Sequence, residues 1–348
     1  MDYFTPSLAI CKSLNIVKIV KIVSGIIIVY SLISARIQID AFIYWRKSFV
    51  LGSKFMQQTR IRVALQKSGK LSEGSFDLLN KCSFNIKPAK NHYLIQSKEM
   101  NADFLLIRDD DIPGFVDSDA SDIGIVGENG YVEYILENPD HNLEIVSRLK
   151  FAHCRLSIAV PGNSGIECAK DLEGKTIATS YPETLKDFLK QKSINAKILV
   201  MHGSVELAPK IAIADAICDL VSTGTTLKEN GLVELDVLLK SEAVVIARKD
   251  APAAIKERTQ ELLFRLNSVI SAKDSKYIML HIDKENIDKL KEMLPGCESP
   301  TVLHLHGSDN KVAVHVVSKE GVFWDTIAKL KSIGASSILV LPIEKMMD

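Results

Sequence analysis

From Arg60 onward, short apolar runs alternate with stretches in which apolar residues recur every three or four positions. Ile61-Arg62-Val63-Ala64-Leu65, Asp103–Ile107, Asp122–Val126, Arg155–Val160, Thr176–Thr179, Lys197–Val200 and Ala216–Val221 read as strands. Helical spacing falls near Ser72–Lys81, after Asp109-Asp110-Asp111 and Pro113, from Pro182, and near Glu206–Ile213. Strands separated by helices of this length predict parallel sheets covered on both faces, and so many elements suit two lobes with a cleft between them. Ligands of such α/β folds bind at the carboxyl ends of the strands, so the loops there carry the function.

Leu235–Ala247 reads as one long strand, and Ile255–Ser271 as an amphipathic helix with Leu262, Leu263, Leu266, Val269 and Ile270 on its apolar side. Beyond it the order is strand (Tyr277–Ile282), helix (Lys284–Met293), strand (Thr301–Leu305), strand (Val312–Val317), helix (Gly321–Ile333) and strand (Ser336–Leu341). That βαββαβ order predicts a ferredoxin-like domain. Phe323-Trp324 on its last helix is expected in the core. The expected division is 1–55, 56–274 and 275–348.

The first 55 residues break the pattern. The chain of 348 residues balances 43 Lys+Arg against 43 Asp+Glu, but residues 1–55 sum to +5 and the rest to −5. Eight of the 22 Phe, Tyr and Trp residues also fall in this segment. Fourteen uncharged residues lie between Lys21 and Arg36, short of the roughly 20 a spanning helix needs and nearer a signal-peptide core. The cleavage end is poor, because Ile33 stands where a small residue is wanted, and Met56 directly precedes the first patterned strand. The segment is therefore expected to be upstream translation outside the natural protein, with a signal or anchor, or a folded extension, as the alternatives.

With 47% hydrophobic residues the chain is not of disordered composition, and no single-sign charge points to nucleic acid. The six cysteines show no C-x-x-C pair and no close Cys/His ligand spacing, so they are expected as buried apolar residues in a reducing compartment.

The richest chemistry lies at Asp215–Leu227. A buried strand runs out into Ser222-Thr223-Gly224-Thr225-Thr226, followed by helical sequence. Gly224 lets the backbone turn with φ > 0, so that several N–H groups converge on one anion while the hydroxyls add donors. A phosphate monoester suits that geometry, and Asp219 and Asp215 are candidates to accept hydrogen bonds from vicinal ribose hydroxyls. The alternative is a plain Ser/Thr-capped turn with two surface acids. Lys67 and Lys70 flank Ser68-Gly69 after the first strand, suiting a second polyphosphate or merely a solvated turn. Arg108 is a functional candidate, while Asp109, Asp110 and Asp111 are expected mainly to cap the next helix. Gly127-Glu128-Asn129 and Gly203-Ser204-Val205-Glu206 each offer a glycine turn against a helix start. No Ser-His-Asp order or metal-ligand cluster stands out.

Together these motifs resemble ATP phosphoribosyltransferase. Gln66-Lys67-Ser68-Gly69, Arg108-Asp109-Asp110-Asp111-Ile112-Pro113-Gly114, Ile123–Asn129, Cys154-Arg155-Leu156, Ile177–Pro182, Gly203–Glu206 and Asp215–Leu227 occur in that family's order. Ser275–Met279 and Gly334–Met346 resemble its long form, which carries a C-terminal regulatory domain. The likeness runs from about Arg60 to Asp348 and leaves residues 1–55 without a counterpart.

The resemblance implies an α/β fold with a two-lobed, periplasmic-binding-protein-like catalytic region and a ferredoxin-like regulatory domain. It implies a cytoplasmic enzyme of the first step of histidine biosynthesis, in which N1 of the ATP adenine displaces pyrophosphate from C1 of phosphoribosyl pyrophosphate. Mg2+ would accompany the pyrophosphate, histidine would inhibit, and the chain would form homo-oligomers, dimer and hexamer, with no nucleic-acid or membrane partner. Carried over, Ser222, Thr223, Gly224, Thr225 and Thr226 would hold the 5-phosphate, with Asp215 and Asp219 near the ribose. Lys67 and Arg108, as catalytic cations, and Lys70 would face ATP or the departing pyrophosphate, with Glu206 and Tyr181 lining the cleft. Ala335, Ser336 and Ser337 are the candidates for histidine. The competing expectation is a periplasmic solute-binding protein of the same architecture, exported and without turnover.

Overall fold

A strand buried along almost its whole length organises the first lobe. In the computed structural model β1 (Ile61–Gln66) runs parallel to β3 (Ala102–Ile107) on one side and to β4 (Ile123–Gly127) on the other. Described are residues 60–87, 92–97, 101–293 and 300–347. The chain divides into units Met1–Gln58 and Thr59–Asp348, and the described residues all belong to the second. The extension expected at 1–55 lies outside them.

β2 (Leu94–Ser97), β5 (Leu143–Arg148) and β11 (Ala243–Arg248) complete a six-stranded sheet in the order β2-β3-β1-β4-β11-β5. Alternate side chains of each strand serve opposite faces. Val63, Leu65, Ile123, Ile125 and Val245 pack under α1 (Lys70–Lys81) and α6 (Ala253–Ala272), through Phe76, Leu79, Leu262 and Leu266. Ala64, Val126, Val244 and Ile246 meet α2 (Ile112–Asp117) and α3 (Glu128–Glu137) on the other face, through Ile112, Val116, Tyr131 and Tyr134. The carboxylate of Asp122 accepts from the Arg62 backbone N–H at 2.6 Å and from its guanidinium at 2.8 Å, joining the starts of β1 and β4.

The second lobe is a five-stranded sheet ordered β10-β6-β9-β7-β8, from β6 (Cys154–Pro161), β7 (Thr176–Thr179), β8 (Lys197–Val200), β9 (Ala216–Val221) and β10 (Leu232–Ser241). The helix α4 (Pro182–Lys192) buries Leu185 and Leu189 against Leu156, Ile158 and Ile177. Both sheets are mixed rather than parallel, because β11 enters the first antiparallel to β4 and β6 enters the second antiparallel to β9.

Two readings of the sequence are corrected here. Leu235–Ala247 is two strands of different sheets, β10 and β11, with Glu242 between them. Of the helix expected over Glu206–Ile213, only a short 3-10 turn, Val205–Leu207, forms. Pro209 lacks the N–H a helix needs there, its ring would crowd the carbonyl four residues back, and Ala212 takes φ +59°.

The C-terminal residues form a third, antiparallel sheet, β13-β14-β12-β15, from β12 (Ser275–Asp283), β13 (Thr301–His304), β14 (Lys311–Lys319) and β15 (Ser336–Pro342). Its helices α7 (Ile287–Met293) and α8 (Glu320–Ser332) contribute Leu290 and Leu330 to a core of Ile278, Leu280, Ile282, Val312, Val314 and Val316. This is the ferredoxin-like arrangement. Trp324, expected in the core, is instead 65% exposed, since at 3.6 residues per turn it sits roughly 120° round α8 from Leu330. The Phe323 side chain lies outside the described residues. Among the described residues no helix is long and apolar enough to cross a membrane.

Gly124 lets α2 settle directly on β4. A Cβ there would stand 2.5 Å from Ile112 Cγ2 and 3.1 Å from Val116 Cγ2. Gly124→Ala is expected to cost about 1–3 kcal/mol by overpacking, read as a lower urea midpoint with an unchanged slope; an unchanged midpoint would show that α2 moves aside freely.

Candidate active site

The chain passes between the lobes twice, and the two crossings are bonded to each other. Leu149 N–H donates to the Ala243 carbonyl at 2.9 Å and Ala243 N–H to the Phe151 carbonyl at 3.0 Å. The carboxylate of Glu242, the single residue between β10 and β11, accepts from Lys150 N–H at 2.9 Å. Cys154 and Ser241 pair across the first rung of β6 and β10. Above this floor lies a cavity of about 270 Å³, lined among others by Lys70, Asp109, Asp110 and Asn129 from the first lobe and Cys154 and Ser222 from the second.

Ser222–Thr226 leaves the carboxyl end of β9 and enters α5 (Thr225–Glu229). Gly224 takes φ +80°, the left-handed turn its position demanded. The Thr223 and Thr225 hydroxyls lie 3.0 Å apart. The loop is held from below by Arg155 on β6, whose guanidinium donates to the Ser222 carbonyl at 3.3 Å and grips Glu234 of β10 through two bonds of 2.5 Å. Ser157 donates a further bond of 2.7 Å to Glu234. Arg155 and Ser157 hold the Glu234 carboxyl below its usual range, so the pair is ionised and braces the loop.

Asp219, on the last turnward stretch of β9, accepts from Leu220 N–H at 2.8 Å. Burial, with the negative charge of Glu206 adding to it, pushes its carboxyl up. Asp110 is likewise pushed up by burial and by the adjoining Asp109. Tyr181, at the start of α4, feels Asp109, Asp110 and Asp219, and burial above all raises its phenol, so it stays protonated. Asp109, Asp110 and Asp219 thus act on Tyr181, and Glu206 acts on Asp219. Asp109, Asp110 and Asp111, expected to cap α2, form a 3-10 turn instead, and neither it nor α2 has a side-chain cap bond.

Lys67 and Arg108 follow β1 and β3 at adjacent carboxyl ends, since Gln66 pairs with Ile107. Both side chains are exposed, and Lys67 Nζ stands 4.1 Å from the Tyr93 ring centroid. Asp215 is not brought to the loop. It precedes β9 at the opposite end of a six-residue strand, about 20 Å away by strand rise, and accepts from Thr176 N–H at 2.8 Å. Four residues of strand rise hold Asp215 and Asp219 about 13 Å apart, with only Asp219 toward the carboxyl end of β9. Ala335, Ser336 and Ser337 line a separate cavity of about 360 Å³ in the C-terminal sheet, with Trp324, Ile327 and Lys331. Sequence reasoning assigned no role to Arg155, Glu234, Asn129, Glu133 or Ser241. Asn129 and Arg155 stand inside motifs that carry the family resemblance, whereas Glu133, Glu234 and Ser241 show only charge or polarity, a signal common to surface residues. Cys82, Cys154, Cys168 and Cys218 are free.

A left-handed turn at Gly224 beside a cavity between two α/β lobes, with a third sheet appended, defines a two-lobed α/β protein with an accessory domain. Residues 108–268 match the family model described as ATP phosphoribosyltransferase, and residues 272–345 match that of its C-terminal domain. Among solved structures, a chain of the ATP phosphoribosyl transferase (HisG:HisZ) complex from Thermotoga maritima is 26% identical, covering 61% of this chain and 98% of that one at a TM-score of 0.52. The alkanesulfonate-binding protein SsuA from Xanthomonas axonopodis pv. citri is 14% identical, covering 60% of this chain and 72% of that one at a TM-score of 0.42. The chain belongs to the ATP phosphoribosyltransferase family of histidine biosynthesis, in its long form, and is a pentosyltransferase.

A side chain at Gly224 meets only Val221 Cγ1 at 4.0 Å, so Gly224→Val is strained by its φ rather than by a clash. The variant is expected to fold and to lose at least tenfold in affinity for phosphoribosyl pyrophosphate by calorimetry. Unchanged binding would show that the loop is only a helix cap.

Proposed function

We propose that the cleft joins ATP to phosphoribosyl pyrophosphate, giving phosphoribosyl-ATP and pyrophosphate. The observation that carries this reading is the left-handed Ser222–Thr226 loop at the carboxyl end of β9, opening on a cavity whose other wall supplies Lys70. The loop's N–H groups and hydroxyls hold the 5-phosphate, and Asp219 receives the ribose hydroxyls. Lys67, Lys70 and Arg108 meet the triphosphate or the leaving pyrophosphate, with Glu206 and Tyr181 along the wall.

The nucleophile is a neutral ring nitrogen, so no protein base has to deprotonate it. Catalysis then consists of holding N1 in line with C1 and stabilising negative charge on the departing pyrophosphate as the ribose acquires oxocarbenium character. Among the described residues no three His, Cys, Asp or Glu side chains converge as a metal cage. Asp109 and Asp110, side by side on the cavity, and Asp219 are the carboxylates that would meet a magnesium ion carried in on the substrate's phosphates, which takes one or two carboxylates and keeps water. Such an ion would neutralise the pyrophosphate.

The C-terminal sheet is the regulatory unit in this reading, with histidine taken into the cavity lined by Ala335, Ser336 and Ser337. The enzyme works in the cytoplasm and assembles as dimer and hexamer.

Incubating the purified chain with ATP, phosphoribosyl pyrophosphate and Mg2+ is expected to raise the absorbance of phosphoribosyl-ATP and to release pyrophosphate; no product without histidine would sink the reading. Histidine is expected to suppress turnover, and Ser336→Trp, which fills the C-terminal cavity, to shift the inhibition midpoint at least tenfold upward while leaving uninhibited turnover within twofold. An unmoved midpoint would place the inhibitor elsewhere.

A further inference from the structure

Two polar side chains on one face of α3 hold the beginning of α4 in the other lobe. Asn129 and Glu133 are four residues apart, one above the other on the helix surface. The first turn of α4 has no side-chain cap of its own, and its free N–H groups need acceptors. Glu133 supplies them from across the cleft. Its carboxylate accepts from Glu183 N–H at 2.7 Å, Thr184 N–H at 2.9 Å and the Thr184 hydroxyl at 2.6 Å. A carboxylate at a helix N-terminus also meets the positive end of the helix dipole.

Asn129 is buried, and its bonds leave one orientation of its amide. Asn129 N–H donates to Ser241 Oγ at 3.1 Å, so the Ser241 proton goes to Asn129 Oδ1 at 2.8 Å. Asn129 Nδ2 then donates to the Tyr181 hydroxyl oxygen at 3.0 Å. Tyr181 is thereby an acceptor on that side, and its own proton is left to donate elsewhere, in the neighbourhood of Asp109, Asp110 and Asp219. Gly127 makes room for the fold-back, since a Cβ there would come 2.5 Å from Asn129 Oδ1. Ser241 ends β10 beside the crossing residue, so the chain of bonds runs from the inter-lobe strand through Asn129 to Tyr181 at the start of α4.

We infer that Asn129 and Glu133 are positioning residues: they clasp the two lobes at the start of α4 and set the Tyr181 hydroxyl as a hydrogen-bond donor to a substrate acceptor atom in the cleft. This rests on the transferase reading for the identity of the substrate, while the clasp is independent of it. The chemistry asked of the acceptor is a lone pair that gains negative charge in the transition state, as on a pyrophosphate oxygen.

The test has two arms on the full chain. Steady-state kinetics of Asn129→Ala, Tyr181→Phe and the double variant are expected to give about tenfold lower kcat in each, with KM within threefold. The double variant should be no worse than Tyr181→Phe alone, because both remove the same hydroxyl function. Losses that multiply would overturn the positioning role, since a merely structural Asn129 would add its own damage. Amide hydrogen exchange is the second arm. Glu133→Ala should speed exchange at Glu183 and Thr184 at least tenfold, and the near-isosteric Glu133→Gln should fall between it and the unaltered chain. Unchanged exchange in both variants would overturn the clasp. Should the unaltered chain make no phosphoribosyl-ATP, the failure belongs to the assigned reaction, and the exchange arm alone decides the clasp.

Discussion

The hydrogen-bonded pair of crossings between the lobes is the constraint on which the rest depends. Only Glu242 separates the edge strand of one sheet from an interior strand of the other. Its carbonyl accepts from Glu128 N–H at 2.9 Å and its side chain braces Lys150, so both crossings and the start of α3 share one residue. β11 cannot slide without withdrawing Val244, Val245 and Ile246 from cores on both faces of the sheet. Burial of that kind contributes roughly 1.5–3 kcal/mol per side chain, enough to set the floor of the cleft to within a strand register. Asn129, Cys154 and Ser241 are then neighbours by necessity.

Electrostatics in the cleft follow from that closeness. The part of the chain after residue 55 sums to −5, and the cleft wall itself carries Asp109 and Asp110. An overall field of that sign repels polyanions, so attraction has to be local. Lys67, Lys70 and Arg108 cluster at the carboxyl ends of β1 and β3, and the loop before α5 adds neutral backbone donors. Arg155 looks like one more cation for phosphate, yet its charge is satisfied by Glu234 and its remaining bond goes to the loop backbone. Burial, with the charges of Asp109 and Glu206 respectively adding to it, pushes up the carboxyls of Asp110 and Asp219.

Local pattern carried much of this. Thr176–Thr179 and Lys197–Val200 form strands with the limits their apolar runs suggested, and the C-terminal order of strands and helices is the one observed. Gly224 stands left-handed at φ +80°, a conformation glycine adopts without the penalty a Cβ brings. The misreadings share a physical cause. Leu235–Ala247 contains no Gly or Pro to mark a break, so a change of sheet at Glu242 leaves no local trace. Asp215 and Asp219 look equivalent in a row of residues, whereas β9 holds them about 13 Å apart, with only Asp219 toward its carboxyl end. In the other direction, Pro209 was visible and ends the helix expected around it.

What the sequence determined by itself was the inventory: two α/β lobes, an appended βαββαβ unit, a Ser/Thr-rich glycine loop and the family those motifs resemble. Such features depend on periods of two and 3.6 residues, on glycine's backbone freedom and on short motifs, all of which act within a dozen positions. Only the tertiary structure decided which groups meet. Glu133 reaches residues 183 and 184, Asn129 joins Ser241 to Tyr181, and Arg155 supports Ser222 through Glu234. Those partners are tens of residues apart, and their pairing is set by sheet order and by the double crossing. Periodicity within any one segment is blind to both.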